Sequence, residues 1–242
     1  MVKIEIDEYG GILLTAQAPV VLSEEVRAAI LEKWEDANDD GEVEEILAEM
    51  EKVASPKAYL LPAYVADKDD AGAVLSVPFD ERKNVEEKTF RLDSPLICEK
   101  IEKDTRVIAT LATCGREVHN ISMSKQDDPL LRIVAEDLCL EFLRVISLEM
   151  HEYIRNEIIG SDKFSRLNPG SLPAWPITAQ PDLFAVIGKG AELTGVELTP
   201  SYLMIPYKSS SGLVFPTENR FESCMRCPRL NCPGRRAPYE ES

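Results

Sequence analysis

The beginning of the chain changes from an alternating to a helical hydrophobic pattern. Apolar and charged residues alternate over residues 2–6, which predicts a short, half-exposed strand. Ser23 precedes acidic residues and can cap a helix that extends to Trp34. A second helix is predicted from about residue 43 to residue 53, because Ser55-Pro56 follows it. Residues 1–55 are therefore expected to form a segment with one strand and two helices.

The middle of the chain combines short strands with one long helix. β-Branched and apolar runs predict strands at residues 58–65, 73–77 and 106–111, and Ser94-Pro95 predicts the start of a short helix. Residues 129–159 carry an apolar stripe at helical spacing. The stripe consists of Leu131, Ala135, Leu138, Phe142, Val145, Ile146 and Tyr153, and Glu149 falls on it as well.

The last third is richer in loops. A helix is predicted at residues 178–187, and strands are predicted at residues 202–205 and 213–215. Helices and strands do not alternate regularly enough for a doubly wound parallel sheet, so the predicted fold class is α+β.

Charge and composition narrow the classes of function. The formal net charge of −16 argues against a nucleic-acid-binding protein and against docking on an anionic membrane. No apolar run has the length of a membrane span, and the first residues lack the basic and apolar regions of a secretory signal. The expected location is therefore the cytoplasm.

Two positions could recognise a charged ligand. Glu149 on the apolar stripe either contacts a cationic ligand or reaches water or an arginine at the edge of the stripe, and the pattern favours neither. Arg166, followed by Asn168-Pro169-Gly170, would place a forked cation beside exposed backbone amides, which suits a carboxylate or a nucleoside. From these residues alone, an ordinary loop is the preferred interpretation of the second segment.

A third candidate is a cluster of hydroxyl groups between two strands. Lys208, Ser209, Ser211 and Gly212 would supply hydrogen-bond donors and a close backbone approach, although a hairpin turn needs no function. The two histidines, His119 and His151, have no evident serine or aspartate partner, which argues against a hydrolytic triad. His151 is expected on the polar, solvated face of the long helix.

The cysteine spacing near the C-terminus indicates metal or redox chemistry. Cys224 and Cys227 are separated by two residues and Cys232 follows, so three thiolates could bind zinc or an iron–sulfur cluster with a fourth ligand from elsewhere. Neighbouring arginines would favour the thiolate form. The alternative is a flexible tail with free thiols.

Taken in order, these segments resemble the activation domain of cobalamin-dependent methionine synthase from about residue 56 to residue 216. The matching motifs are Thr113-Cys114-Gly115, the long helix with Glu149, Arg166-Leu167-Asn168-Pro169-Gly170, Gln180 with Leu183-Phe184, Gly195-Val196-Glu197-Leu198-Thr199, and Met204, Pro206, Lys208, Ser209, Ser211 and Gly212. Stand-alone members of the family have a cysteine tail like the one here. Two positions depart from the family pattern, because Ser171 replaces a tyrosine and Val214 stands where aromatic residues are frequent.

The resemblance implies a mixed or antiparallel twisted sheet with flanking helices, in a core of residues 56–222 followed by a cysteine-rich tail of residues 223–242. It also implies binding of S-adenosylmethionine, with Arg166 on the carboxylate, Asn168, Pro169 and Gly170 near the adenosine, and Glu149 facing the cationic methionine end. Lys208, Ser209, Ser211 and Gly212 would complete this site.

The implied function is reductive reactivation of cobalamin carried by a partner, either a corrinoid-binding protein or the methionine synthase core. A reductase or a metal centre in the tail would supply the electron, and no turnover is expected from this chain alone. Two alternatives stay open. One is a metal-cluster redox protein that kept the fold and lost the cofactor site, and the other is an interaction module without a cofactor.

Overall fold

The computed structural model describes residues 2–38, 40–77, 87–232 and 235–240. Its strands are β1 (Val2–Ile6), β2 (Ile12–Ala16), β3 (Lys57–Lys68), β4 (Gly72–Val77), β5 (Lys88–Asp93), β6 (Arg106–Thr113), β7 (Phe164–Leu167), β8 (Glu197–Leu198), β9 (Met204–Ile205) and β10 (Ser209–Pro216). Its α-helices are α1 (Glu24–Lys33), α2 (Glu42–Val53), α3 (Pro95–Lys100), α4 (Arg116–Ser124), α5 (Pro129–Tyr153), α6 (Gln180–Ile187) and α7 (Lys189–Thr194). Short 3₁₀ turns occupy Glu35–Ala37, Ile177–Ala179 and Ser223–Met225, and a π-helix covers Ile154–Ile159.

One antiparallel sheet organises the molecule. Its strand order is β1-β2-β3-β6-β10-β7, with β4 paired to the far part of β3 and β5 paired to β4. β8 and β9 form a separate two-stranded ribbon. β7 ends the main path and contacts only β10 within it, so the residues of β7 lie at an edge of the sheet.

Two apolar layers cover the two faces of this sheet. Side chains alternate along each strand, so Ile108 and Ala112 of β6 join the layer of α2, α4 and α5, whereas Ala109 and Leu111 join the layer of α3, α6 and α7. The fold class is thus α+β with an antiparallel sheet and flanking helices, and the sequence prediction of the fold is confirmed.

The first 55 residues are built into the same sheet and core. β2 pairs with β3, and Leu14 is buried among the residues that pack on α5. The carboxylate of Glu51 on α2 accepts the backbone N–H of Leu22 at 2.9 Å and forms an ion pair with Arg27. This buried carboxylate therefore fixes the connection between β2 and α1 on the core.

Helix α5 is the longest element and carries one side of the site described below. Asp128 caps it by accepting the backbone N–H groups of Leu130 and Leu131 at 2.9 and 3.0 Å, and Pro129 occupies the first turn. Its regular turns end at Tyr153, where the backbone changes to the π-helix Ile154–Ile159 and stops at Gly160. None of the described helices is long and apolar enough to cross a membrane.

Candidate functional site

Arg166 is placed by the edge strand β7. Its backbone pairs with Val214 of β10, and both residues alternate with Leu167 and Leu213, which are buried on the opposite face. The side chain of Arg166 consequently lies on the α5 face of the sheet. One terminal nitrogen of its guanidinium donates to the hydroxyl of Ser210.

The guanidinium of Arg166 is buried without an ion pair to a described carboxylate, although the charge of Glu222 acts on it from nearby. Its Nε is buried and has no hydrogen-bond partner, and Arg166 forms no ion pair with any described carboxylate. Burial lowers the pKa of Arg166 to about 10, and the nearby charge of Arg236 acts in the same direction. A desolvated cation with an unsatisfied donor is costly, so this group is suited to an anionic ligand.

His151 lies beside this arginine, which corrects the expectation of a solvated surface histidine. Its ring stacks on Phe164 of β7, with the ring centroids 6.2 Å apart and the planes inclined by 30°. Burial lowers the pKa of His151 to about 4, and the positive charges of Arg166 and Arg236 contribute to the shift. The imidazole is therefore neutral near pH 7. The sequence missed this because the end of α5 packs over the sheet edge, which covers part of the polar face of the helix.

A cleft of about 710 Å³ opens between the end of α5, β7 and the C-terminal segment. Its charged lining comprises four arginines, three carboxylates and one histidine: Arg155, Arg166, Arg220, Arg236, Glu152, Asp162, Glu222 and His151. Three of the arginines have carboxylate partners. Arg220 and Arg236 pair with Glu222 at 2.9 and 3.5 Å, and Arg155 lies 3.4 Å from Glu152 and 3.6 Å from Asp162.

Arg166 is thus the cation of the cleft that keeps a free donor. The remaining charges nearly balance, so a ligand with one carboxylate and one cationic group would meet both signs of charge. Chemically, the cleft can bind and orient such a zwitterion. Among its described residues we find no nucleophile paired with a general base.

Glu149 does not face this cleft, and its position agrees with the interpretation in which the carboxylate reaches water at the edge of the stripe. Its side chain is exposed and borders a separate shallow depression beside β1, together with Tyr153 and Asn156. Met150, the next residue, takes the buried position instead. The apolar stripe drifts around a long helix, because 3.6 residues per turn carry a position seven residues on about 20° away from its starting direction.

Asn168, Pro169 and Gly170 form a closed turn after β7. The side-chain amide of Asn168 donates to the carbonyl of Ser211, and the backbone N–H of Gly170 donates to the carbonyl of Trp175 at 2.7 Å. Gly170 has φ +81°, and a Cβ there would lie 3.0 Å from Ile177. The expected exposed amide of Gly170 is therefore already used inside the protein. The turn holds the end of β7 in place.

The hydroxyl cluster lies within strand β10 and not in a hairpin turn, which corrects that interpretation. Alternation along β10 divides the cluster between the two faces of the sheet. Ser211 donates to Gln180 of α6 at 2.8 Å. The hydroxyl of Ser209 donates to the carbonyl of Pro206 at 2.7 Å and shares a hydrogen bond of 2.9 Å with the hydroxyl of Thr113. These hydroxyls bind other parts of the protein. Ser210, absent from the predicted site, is the one that contacts Arg166.

Lys208 and Gly212 occupy different surroundings. The ammonium of Lys208 is 3.7 Å from the carboxylate of Glu136 on α5, beside the start of β10. Gly212 is buried between β6 and β7, and a Cβ at this position would lie 2.3 Å from the carbonyl oxygen of Leu167. The absence of a side chain at Gly212 thus allows β7 to pair closely with β10.

The tail does not bring its three thiols into a metal site. Cys224, Cys227 and Cys232 are all described, free and partly buried. Within the described residues there is no group of three or more histidine, cysteine, aspartate or glutamate side chains that could hold a metal ion. The Sγ of Cys224 instead accepts the backbone N–H of Arg236 at 3.4 Å, which lowers the pKa of Cys224. The metal therefore stays a prediction from spacing.

Comparisons with known proteins identify a similar fold but no family. No family model matches the chain, and no curated protein matches it by sequence. Among solved structures, a crystal structure of the MetH reactivation domain bound to AdoHcy superimposes with a TM-score of 0.58 at 17% sequence identity. The match covers 88% of this chain and 81% of that chain. At this identity the comparison shows a shared fold.

Proposed function

We propose that this protein is an accessory reactivation protein that binds S-adenosylmethionine and presents it to a corrinoid on a partner protein. The observation that carries the proposal is the buried, unpaired guanidinium of Arg166 in a cleft at the sheet edge. The similar fold belongs to a reactivation domain that was crystallised with AdoHcy, which supports a related activation role.

The residues of the cleft fit the charged end of this cofactor. Its carboxylate would complete the hydrogen bonding of Arg166, and its cationic groups would lie near Glu152 and Glu222. When bound, S-adenosylmethionine supplies a methyl group from its sulfonium. The side chains of the cleft bind and orient the ligand. A separate reductase would supply the electron, and a partner methyltransferase would carry the cobalamin.

Calorimetric titration with S-adenosylmethionine and with S-adenosylhomocysteine tests the proposal. We expect saturable binding of both ligands near or below the millimolar range. Arg166→Ala should weaken binding by about 2–4 kcal/mol, because the ligand carboxylate would be desolvated without its partner. Arg91→Ala is a matched control, since Arg91 is an exposed arginine on β5 with partners of its own.

Two results would count against this function. Absence of binding by the wild-type protein would show that S-adenosylmethionine is not a ligand of this protein. Unchanged affinity in Arg166→Ala would remove Arg166 from the site. With binding established, mixing the protein with S-adenosylmethionine, a reductant and a corrinoid methyltransferase that holds oxidised cobalamin should restore the visible spectrum of methylcobalamin, with S-adenosylhomocysteine released.

A further inference from the structure

The C-terminal segment after β10 is attached to the strand that carries Arg166. The backbone N–H of Thr217 donates to the carbonyl of Lys163 at 3.0 Å, and the backbone N–H of Phe221 donates to the hydroxyl of Ser165 at 2.7 Å. Phe221 is itself buried. The segment therefore follows β7 and reaches the cleft on a fixed path.

The side chain of Arg235 links the backbone around Cys224 and Cys227 by hydrogen bonds. All five N–H donors of its guanidinium point to backbone carbonyl oxygens. The acceptors are Cys224 at 2.6 Å, Arg229 at 2.8 Å, Cys227 at 2.9 Å, Ala237 at 3.1 Å and Leu230 at 3.2 Å. The guanidinium of Arg235 thus connects carbonyl groups that the chain presents before and after this residue.

The next residue, Arg236, is directed to the cleft by this loop. Its backbone N–H donates to the Sγ of Cys224, and its guanidinium lies 3.5 Å from Glu222 and lines the cleft with Arg166. The side chain of Arg236 is 58% exposed, whereas the Nε of Arg166 is buried. Arg236 therefore places an exposed guanidinium in the same cleft as the buried one of Arg166.

We propose that Arg236 is the second guanidinium of the ligand-carboxylate site and that Cys224 is its positioning residue. The inference rests on the proposed function, since the carboxylate is that of the methionine or homocysteine part of the ligand. Arg166 uses one terminal nitrogen of its guanidinium on Ser210, so a carboxylate that binds the remaining cleft-facing edge of the group has a second oxygen available. Arg236 reaches that oxygen by leaving the long contact with Glu222. The cysteine tail thereby becomes part of the cofactor site.

The test compares two ligands that differ in the carboxylate. S-adenosylhomocysteine carries the amino-acid group, and 5′-methylthioadenosine lacks it, so each full-length variant is titrated with both. Arg236→Ala should weaken S-adenosylhomocysteine roughly three- to tenfold and leave 5′-methylthioadenosine unchanged, because the lost partner is a partly exposed charge. Arg229→Ala is the matched control, since Arg229 lies on the same loop with an exposed side chain outside the cleft lining.

The cysteine variants test the positioning role. Cys224→Ala should weaken S-adenosylhomocysteine, Cys224→Ser should restore it because a hydroxyl also accepts the N–H of Arg236, and Cys232→Ala should bind as the wild type does. Equal losses in Cys224→Ala and Cys232→Ala would overturn the role of the single N–H···S contact. Wild-type affinity in Arg236→Ala would overturn the inference alone, whereas no binding by the wild type would overturn it together with the proposed function.

Discussion

At the scale of single residues, the site depends on a positive charge that the fold has buried. Arg166 lacks a carboxylate partner among the described residues, and His151 beside it is kept neutral by burial and by three guanidinium groups. Such an arrangement destabilises the free protein, and in the proposed complex the ligand carboxylate would compensate for it. The unpaired guanidinium of Arg166 is therefore the feature of the protein that an anionic ligand would satisfy.

The stability of the folded protein should depend on pH through His151. Its folded-state pKa of about 4 lies below the ordinary value of 6.5, so the unfolded chain binds a proton more readily between these values. Stability contributed by the neutral ring is complete above about pH 6.5 and is lost as the pH falls towards 4, by up to about 3 kcal/mol. Arg166, Arg236, Arg220 and Glu222 are the charged groups that act on this ring.

His151→Gln should therefore lose less stability than the wild type between pH 7 and pH 4.5. Urea unfolding followed by circular dichroism at several pH values gives the free energies for both proteins. Carboxylates titrate in both proteins, so their contribution cancels in the difference between the two free energies of unfolding. The same pH dependence in the variant and the wild type would show that His151 is not held in the neutral form.

At the scale of elements, the sequence predicted those elements whose own pattern is strong. The predicted elements that the structure contains are strands β1, β3, β4, β6, β9 and β10 and helices α1, α2, α3, α5 and α6, which follow from alternation, helical spacing or caps. The elements that were not predicted are strands β2, β5, β7 and β8 and helices α4 and α7. β7 has only four residues, and its pairing with β10 defines it as a strand, which a local pattern cannot show.

The close pairing of β7 with β10 can be tested at Gly212. Gly212→Ala should lower the free energy of unfolding by about 1–3 kcal/mol, because its Cβ would press on the carbonyl oxygen of Leu167. β7 would shift and carry Arg166 with it, so ligand affinity should fall as well. Gly160→Ala is the control: Gly160 follows a helix end at φ +73°, where alanine is strained, but a Cβ there has no atom within 4 Å.

Both glycine variants should be less stable, but calorimetric titration should show weaker ligand binding only for Gly212→Ala. Equal ligand affinity in the two variants would contradict the dependence of the site on the spacing between β7 and β10.

At the scale of the whole molecule, the cleft joins parts of the chain that are far apart in sequence. His151 on α5, Arg166 on β7 and Arg236 in the tail meet at one edge of the sheet. Arg166 was predicted from the family resemblance. His151 and Arg236 were not, because no spacing rule relates a helix end to an arginine 85 positions further on. The arginines beside the tail cysteines were the feature of the sequence that could have pointed to Arg236.

The net charge of −16 contrasts with the charge of the cleft lining, which has four arginines and three carboxylates. The arginines of the cleft are concentrated on a molecule that is otherwise strongly acidic. An anionic group near the cleft therefore meets a local positive region, although the protein as a whole repels anions. This contrast favours recognition of a carboxylate inside a confined site over general binding of polyanions.

The central claim is that the carboxylate of an S-adenosyl ligand binds Arg166 in the cleft between α5, β7 and the C-terminal segment. A crystal structure of the protein with saturating S-adenosylhomocysteine measures this most directly. We expect a ligand carboxylate oxygen within hydrogen-bond distance of the Arg166 guanidinium, with His151 and Arg236 beside it. A ligand bound elsewhere on the molecule, or one whose carboxylate points away from Arg166, would contradict the account.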